Sequence, residues 1–109
     1  MVLATKGGMD PELMLEILNN SAAKSGLINY KAQFVFARNF TTNFSVKWMF
    51  KDIGLMLERG QELGVPLVLT GLTRQLFRTA IAAGHGDEDI CSTIKVLEKL
   101  AGVEVVSKK

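Results

Sequence analysis

The stretch from Phe44 to Leu63, "FSVKWMFKDIGLMLERGQEL", constrains the fold more than any other. At the helical rotation per residue, Val46, Met49, Phe50, Ile53, Leu57 and Gly60 gather on one side, the stripe of a core-facing helix. Asn43 or Ser45 can cap its start. "GVP" at Gly64 to Pro66 stops it, the glycine closing the last turn and the proline barring continuation. Trp48 and Leu55 fall nearly opposite the core stripe with Asp52 beside them, while Lys47, Lys51, Gly54, Glu58 and Gln61 form the remaining strip. A helix apolar on two sides is expected to be buried on two sides, within a bundle or against another chain or domain.

The pair Lys51-Asp52 between two apolar runs allows two readings. The plain one is a solvated edge, with Asp52 contributing a few tenths of a kcal/mol beside a basic neighbour. The other gives Lys51 a functional direction. Gly54 lies one turn along the same strip, and glycine inside a helix costs about 1 kcal/mol against alanine, so it marks a close approach. A gap there would let the ammonium, on its long apolar stem, reach an anionic or carbonyl group.

Other start and stop signals divide the rest of the chain. "MVLATKGG" reads as the last turn of a helix stopped by Gly7-Gly8, as if preceded by further sequence. In "MDPELMLEIL", Asp10 caps, Pro11 takes the first helical position and Glu12 favours the positive end of the dipole. A short helix is expected over roughly Ser21 to Tyr30, then an irregular packed connection from Lys31 to Thr42. A fourth helix from about Leu67 to Ala83 presents Leu69, Leu72, Leu76, Ala80 and Ala83 on one stripe. Asp87, Glu88 and Asp89 then start a fifth, Ile90 to Ala101, with Ile90, Ile94, Leu97 and Ala101 inward. "VEVVSKK" closes the chain as a frayed tail. The expectation is an all-α bundle of about five helices, a single domain over residues 1–109.

Composition narrows the function classes. With 48% hydrophobic and 22% charged residues the chain is globular in character. Its net charge is only +2 and its basic residues are scattered, so no nucleic-acid footprint is expected. No apolar run approaches membrane-spanning length. The single cysteine, Cys91, excludes an internal disulfide and suits a reducing cytoplasm. His85, the only histidine, reads as part of the turn before a helix rather than a metal ligand, because its neighbouring acids sit where a helix start wants them. Acidic neighbours disfavour a Cys91 thiolate, and Ser21, Ser25 and Ser92 lack a base for a hydrolase triad. "KGG" and "GHG" follow no strand, so neither is a dinucleotide loop.

Three segments in order carry a resemblance: "DPELMLEILNNSAAKSG", then Phe44 followed after six residues by "KDIGLMLERGQELGVPLVLT", then "AAGHGDEDICSTIKVLEKLAG". Together they resemble the C-terminal domain of the β-hydroxyacid dehydrogenases, the 3-hydroxyisobutyrate dehydrogenase and tartronate semialdehyde reductase group, over about Val2 to Gly102. The resemblance implies the helical fold of the C-terminal domain in 6-phosphogluconate dehydrogenase-like enzymes. It also implies a parent oxidoreductase with an N-terminal Rossmann domain binding NAD or NADP, reversible hydride transfer on a small 3-hydroxy acid, and homodimer contacts.

By position, Lys51 matches the lysine of the family's Lys-Asp motif, which reaches the cofactor near the nicotinamide. Asp52 is its companion and Phe44 lies at the rim of the substrate cleft. The family's glycine-rich loop, its serine-glycine substrate loop and its catalytic lysine with an asparagine are absent from this sequence, and the aromatic commonly found after the serine at Ser25 is missing. The resemblance therefore implies no catalytic residue and no cofactor binding by this chain alone. The alternative is a stand-alone helical dimerisation or interaction module.

Overall fold

The computed structural model describes residues 1–108. It contains α1 (Val2–Lys6), α2 (Pro11–Asn19), α3 (Gly26–Phe36), α4 (Val46–Leu63), α5 (Val68–Ala82), a 3-10 turn at Ile90–Thr93 and α6 (Ile94–Ala101). Among the described residues there is no β-strand, only a bridge between Ser45 and Asp89. No helix among them is long and apolar enough to cross a membrane. The chain divides into two compact units, one of Met1–Phe40 with the residues from Leu97 onward, the other Thr41–Val96.

In the first unit the expected caps are present. Asp10 accepts the Glu12 N–H at 3.0 Å and Pro11 opens α2. Helix α3 runs through residues 31–36, where an irregular connection was expected, and starts five residues later than the expected Ser21. Its true start is Ser25, whose hydroxyl accepts the Ile28 N–H at 3.2 Å. The buried positions Ala32, Val35 and Phe36 do keep helical spacing. Leu27 and Tyr30 lie exposed on the same helix, so apolar residues on all sides masked the period.

Helix α3 closes by two reversed bonds, Arg38 N–H to Val35 and Asn39 N–H to Phe34, with Arg38 at φ +53° where glycine is usual. That conformation costs an L-residue roughly 1–2 kcal/mol. Its guanidinium explains the tolerance: it forks onto Glu98 at 2.7 and 3.0 Å and also donates to the Val105 carbonyl at 3.2 Å. The buried Glu98 carboxylate in turn accepts the Val105 N–H at 2.8 Å. The tail is accordingly not frayed. Val105 is 0% exposed, the Ser107 N–H donates to Phe36, and the Ser107 hydroxyl donates to Glu12. Composition alone concealed this, because the latch depends on Arg38, 67 positions from Val105, acting with the nearby Glu98. Lys109, the last residue of that tail, lies outside the described residues.

In the second unit α4 begins at Val46 and leaves Phe44 two residues outside the helix. Its predicted core stripe is the one observed, with Val46, Ile53 and Gly60 buried. Gly60 is required by packing, since a Cβ there would meet Leu67 Cδ1 at 2.6 Å. Val46, Ala80 and Val96 form the core, with Phe77 and Ile81 against them.

Helix α5 turns a different face inward from the one expected. Leu69 and Leu72 are 76% and 60% exposed, and Leu76 and Ala83 are exposed too; of that stripe only Ala80 is buried. Its contact face runs instead through Leu67 at Gly60, Gly71 near Leu57 and Arg74 at Gly54. Hydrophobic periodicity selects the greasier stripe, whereas close helix approach selects the smaller residues. The last helical segment is also rotated. Val96 and Glu98 are buried, whereas Leu97 is exposed and Ile94 and Ala101 are only half-buried.

Candidate functional face of the long helix

The start of α4 is satisfied before any ligand is considered. The first four N–H groups of a helix lack intrahelical partners. Here Val46 N–H donates to Glu88 O at 2.9 Å and Lys47 N–H to Gly86 O at 3.0 Å. Trp48 N–H donates to the Ser45 hydroxyl at 3.3 Å, and Met49 N–H to Ser45 O at 3.0 Å. The Val46, Lys47 and Trp48 donors are thus already engaged, so charge on this face is met by side chains.

Asp89 fixes the residues just before the helix. It is 1% exposed, and one carboxylate oxygen accepts the Asn43 and Phe44 N–H groups at 3.0 and 3.2 Å. The other oxygen accepts the Cys91 N–H at 3.1 Å, capping the 3-10 turn. Phe44 O accepts from Ile90 N–H at 2.9 Å, so its backbone is held from both sides. Asp89 was legible as a cap; its second grip on Phe44 was not, because that pairing spans 45 positions.

Trp48 and Lys51 lie one turn apart on α4, and Phe44 sits just before the helix. Phe44 and Trp48 border a shallow depression of about 380 Å³ with Thr42, Lys47 and Asp87. Thr42 donates to the Asp87 carbonyl, and Lys47 is paired with the Asp87 carboxylate. Lys51 is exposed, and its Nζ rests 5.1 Å from the centre of the Trp48 ring. Such a contact is worth about 0.5–1 kcal/mol at an exposed site. Among the described residues no carboxylate pairs with Lys51, and the half-buried Asp52 makes no ion pair. Trp48 was missed as the lysine's partner, although its spacing three residues earlier carried the signal.

Gly54 does mark a close approach, but not the expected one. The space beside it is taken by Arg74, whose guanidinium would lie 3.1 Å from a Cβ at that position, so no gap opens there for the Lys51 ammonium. The second apolar side is also uncovered within this chain: Trp48 and Leu55 are 52% and 53% exposed.

The turn around His85 is built on ion pairs. Lys95 Nζ donates to Glu88 Oε2 at 2.8 Å, and His85 Nδ1 lies 3.2 Å from the same oxygen, near enough for attraction though poorly aligned as a donor. Burial pushes the Glu88 carboxyl up, but the Lys95 hydrogen bond, and then the imidazole, outweigh it and hold the group below the usual 4.5. Among the described residues no group of three or more His, Cys, Asp and Glu side chains could hold a metal ion.

Residues 1–97 match the protein family described as NAD-binding of NADP-dependent 3-hydroxyisobutyrate dehydrogenase. The chain belongs to this family. Its relatives include the 2-(hydroxymethyl)glutarate dehydrogenase of Eubacterium barkeri, 39% identical over 96% of this chain and 35% of that protein. The L-threonate dehydrogenase of Cupriavidus necator is 29% identical over 99% of this chain and 35% of its own length. The crystal structure of 3-hydroxyisobutyrate dehydrogenase from Salmonella typhimurium superposes with a TM-score of 0.84 at 29% identity, over 88% of this chain and 34% of that one. The chain therefore spans about a third of the length of the hydroxyacid dehydrogenases it matches.

Proposed function

We propose that this chain is the C-terminal substrate-cleft and dimerisation domain of an NAD(P)-dependent 3-hydroxyacid dehydrogenase, inactive by itself and located in the cytoplasm. The observation that carries the reading is Lys51: an exposed ammonium held against Trp48, with no carboxylate partner among the described residues, on a helix whose start is locked. A cation left unneutralised on a rigid element is suited to an external acceptor.

The residues present fit one contact to a nicotinamide cofactor, not its whole embrace. Lys51 would meet a carbonyl or anionic group near the ring, and the α4 start, its donors already used, would not cradle phosphates. When bound, the nicotinamide supplies or accepts the hydride. Asp52 would steady the helix edge facing the cleft, and Phe44, clamped through its backbone, would shield the rim from water. The dinucleotide cradle and the general acid-base group would come from the remaining two thirds of a family enzyme.

Joining this chain to the complementary part of the 2-(hydroxymethyl)glutarate dehydrogenase tests the reading. The chimera should oxidise or reduce NAD(P) with a hydroxy acid, and Lys51→Met should lower kcat/KM by about a hundredfold, roughly 2.7 kcal/mol, while leaving the unfolding midpoint unchanged. A Lys51→Met chimera as active as its parent would remove the lysine from the site.

Leu69, Leu72 and Leu55 favour the dimerisation half of the proposal, since side chains this apolar and this exposed gain by association. They equally suit the alternative of an interaction module without catalysis, and the chimera's activity separates the two.

A further inference from the structure

Two guanidinium groups share one aromatic ring. Arg74 Cζ lies 3.9 Å and Arg78 Cζ 4.5 Å from the centre of Phe50. The arginines are one turn apart on α5, and Phe50 and Gly54 are one turn apart on α4. Although the chain has 11 acidic residues, neither arginine has an ion pair or a hydrogen-bonded acceptor among the described residues. Arg74 Nε is moreover buried without an acceptor. Glu58, one turn beyond Gly54 on α4, pairs with neither.

The ring contacts occupy none of the N–H donors, and with Arg74 Nε sealed against Gly54 the donors left for a ligand are the terminal nitrogens of Arg74 and the Arg78 guanidinium. Gly54 gives up helix propensity, and its missing side chain is where the Arg74 group sits. Two preset forks with no internal counter-charge suit a doubly charged oxyanion, because each fork can donate in bidentate fashion and together they match its charge.

We propose that Arg74 and Arg78, held on Phe50, form a binding site for the phosphoryl group of a small soluble ligand. This site is separate from the Lys51 ammonium, which rests on a different ring, Trp48. It does not depend on the dehydrogenase reading.

The test is a titration of the isotopically labelled 109-residue chain with inorganic phosphate, followed by NMR at the arginine side chains, with glutarate in a parallel arm. Saturable shifts at Arg74 and Arg78 are expected with phosphate and weaker ones with glutarate. Arg78→Gln, at an exposed position whose loss leaves the core intact, should weaken phosphate binding at least about tenfold, as should Arg74→Gln, whereas Arg59→Gln should change it by less than about twofold. Arg59 is the charge-matched control, since it pairs with Glu62 at 2.9 Å. Absence of saturation, an equal loss in Arg59→Gln, or glutarate binding as tightly as phosphate would each overturn the proposal.

Discussion

Arg38 and the trio Lys51, Arg74 and Arg78 are cations in opposite circumstances. Arg38, in the unit of Met1–Phe40 with the residues from Leu97 onward, is forked onto a buried carboxylate and a backbone carbonyl. The other three, in Thr41–Val96, lie on aromatic faces with no acid paired to them among the described residues. Arg38 also lies over a ring, Phe40, so the aromatic contact is common to both sets and the acid is what differs. A buried pair is hard to break and makes architecture, whereas a cation seated on a ring keeps its donors for something outside.

The largest expected effect breaks the first side of that comparison. Glu98→Gln leaves the Arg38 charge only the exposed Glu104 carboxylate at 3.8 Å and weakens the hold on Val105, and should cost about 3 kcal/mol, read as a lower urea midpoint at unchanged slope. A loss below about 1 kcal/mol would mean that Arg38 can find water and the pair is not structural.

A smaller effect tests the buried acid of the second unit. Asp89→Ala removes the acceptor of three backbone N–H groups and should cost about 2 kcal/mol. Amide exchange sharpens the result: Asn43 and Phe44 should lose protection together with Cys91. If Cys91 alone loses it, Asp89 is only a helix cap.

The smallest effect is a pH dependence. Glu88 is held below its ordinary value in the folded chain, so its contribution is complete above about 4.5 and is lost as pH falls through the lower folded value. Glu88→Gln should therefore destabilise the chain at pH 6 and converge with the parent once the pH has fallen below the lowered folded value. Parallel curves at all pH values would show that its charge contributes nothing.

Much of the fold could be read along the chain because its signals are local. Asp10-Pro11, Ser45 and Gly64 mark helix ends with their own side chains or backbone freedom, and the α4 stripe repeats over about four turns, from Val46 to Gly60. What could not be read depends on distant partners. The leucines of α5 have the right spacing for a core, yet Gly71 and Arg74 occupy the contact because α4 offers Gly54 and Leu57 there. The tail is buried through residues 67 and 95 positions away, Arg38 and Glu12. At the candidate site, Lys51, Asp52 and Phe44 were singled out by motif resemblance. Trp48, Asp89 and the arginine pair became visible only once side chains from other elements were in place.

The seating of Val105 has a practical side for anyone engineering this protein. Gly102, where α6 ends in a left-handed turn, looks like a natural place to trim the chain or to splice on a reporter. A cut there would delete both backbone groups of Val105, one serving each member of the Arg38–Glu98 pair, and would leave an arginine in a glycine's conformation with less to keep it there. Val105 and Ser107 thus act as a latch, and fusion designs should begin beyond Ser107.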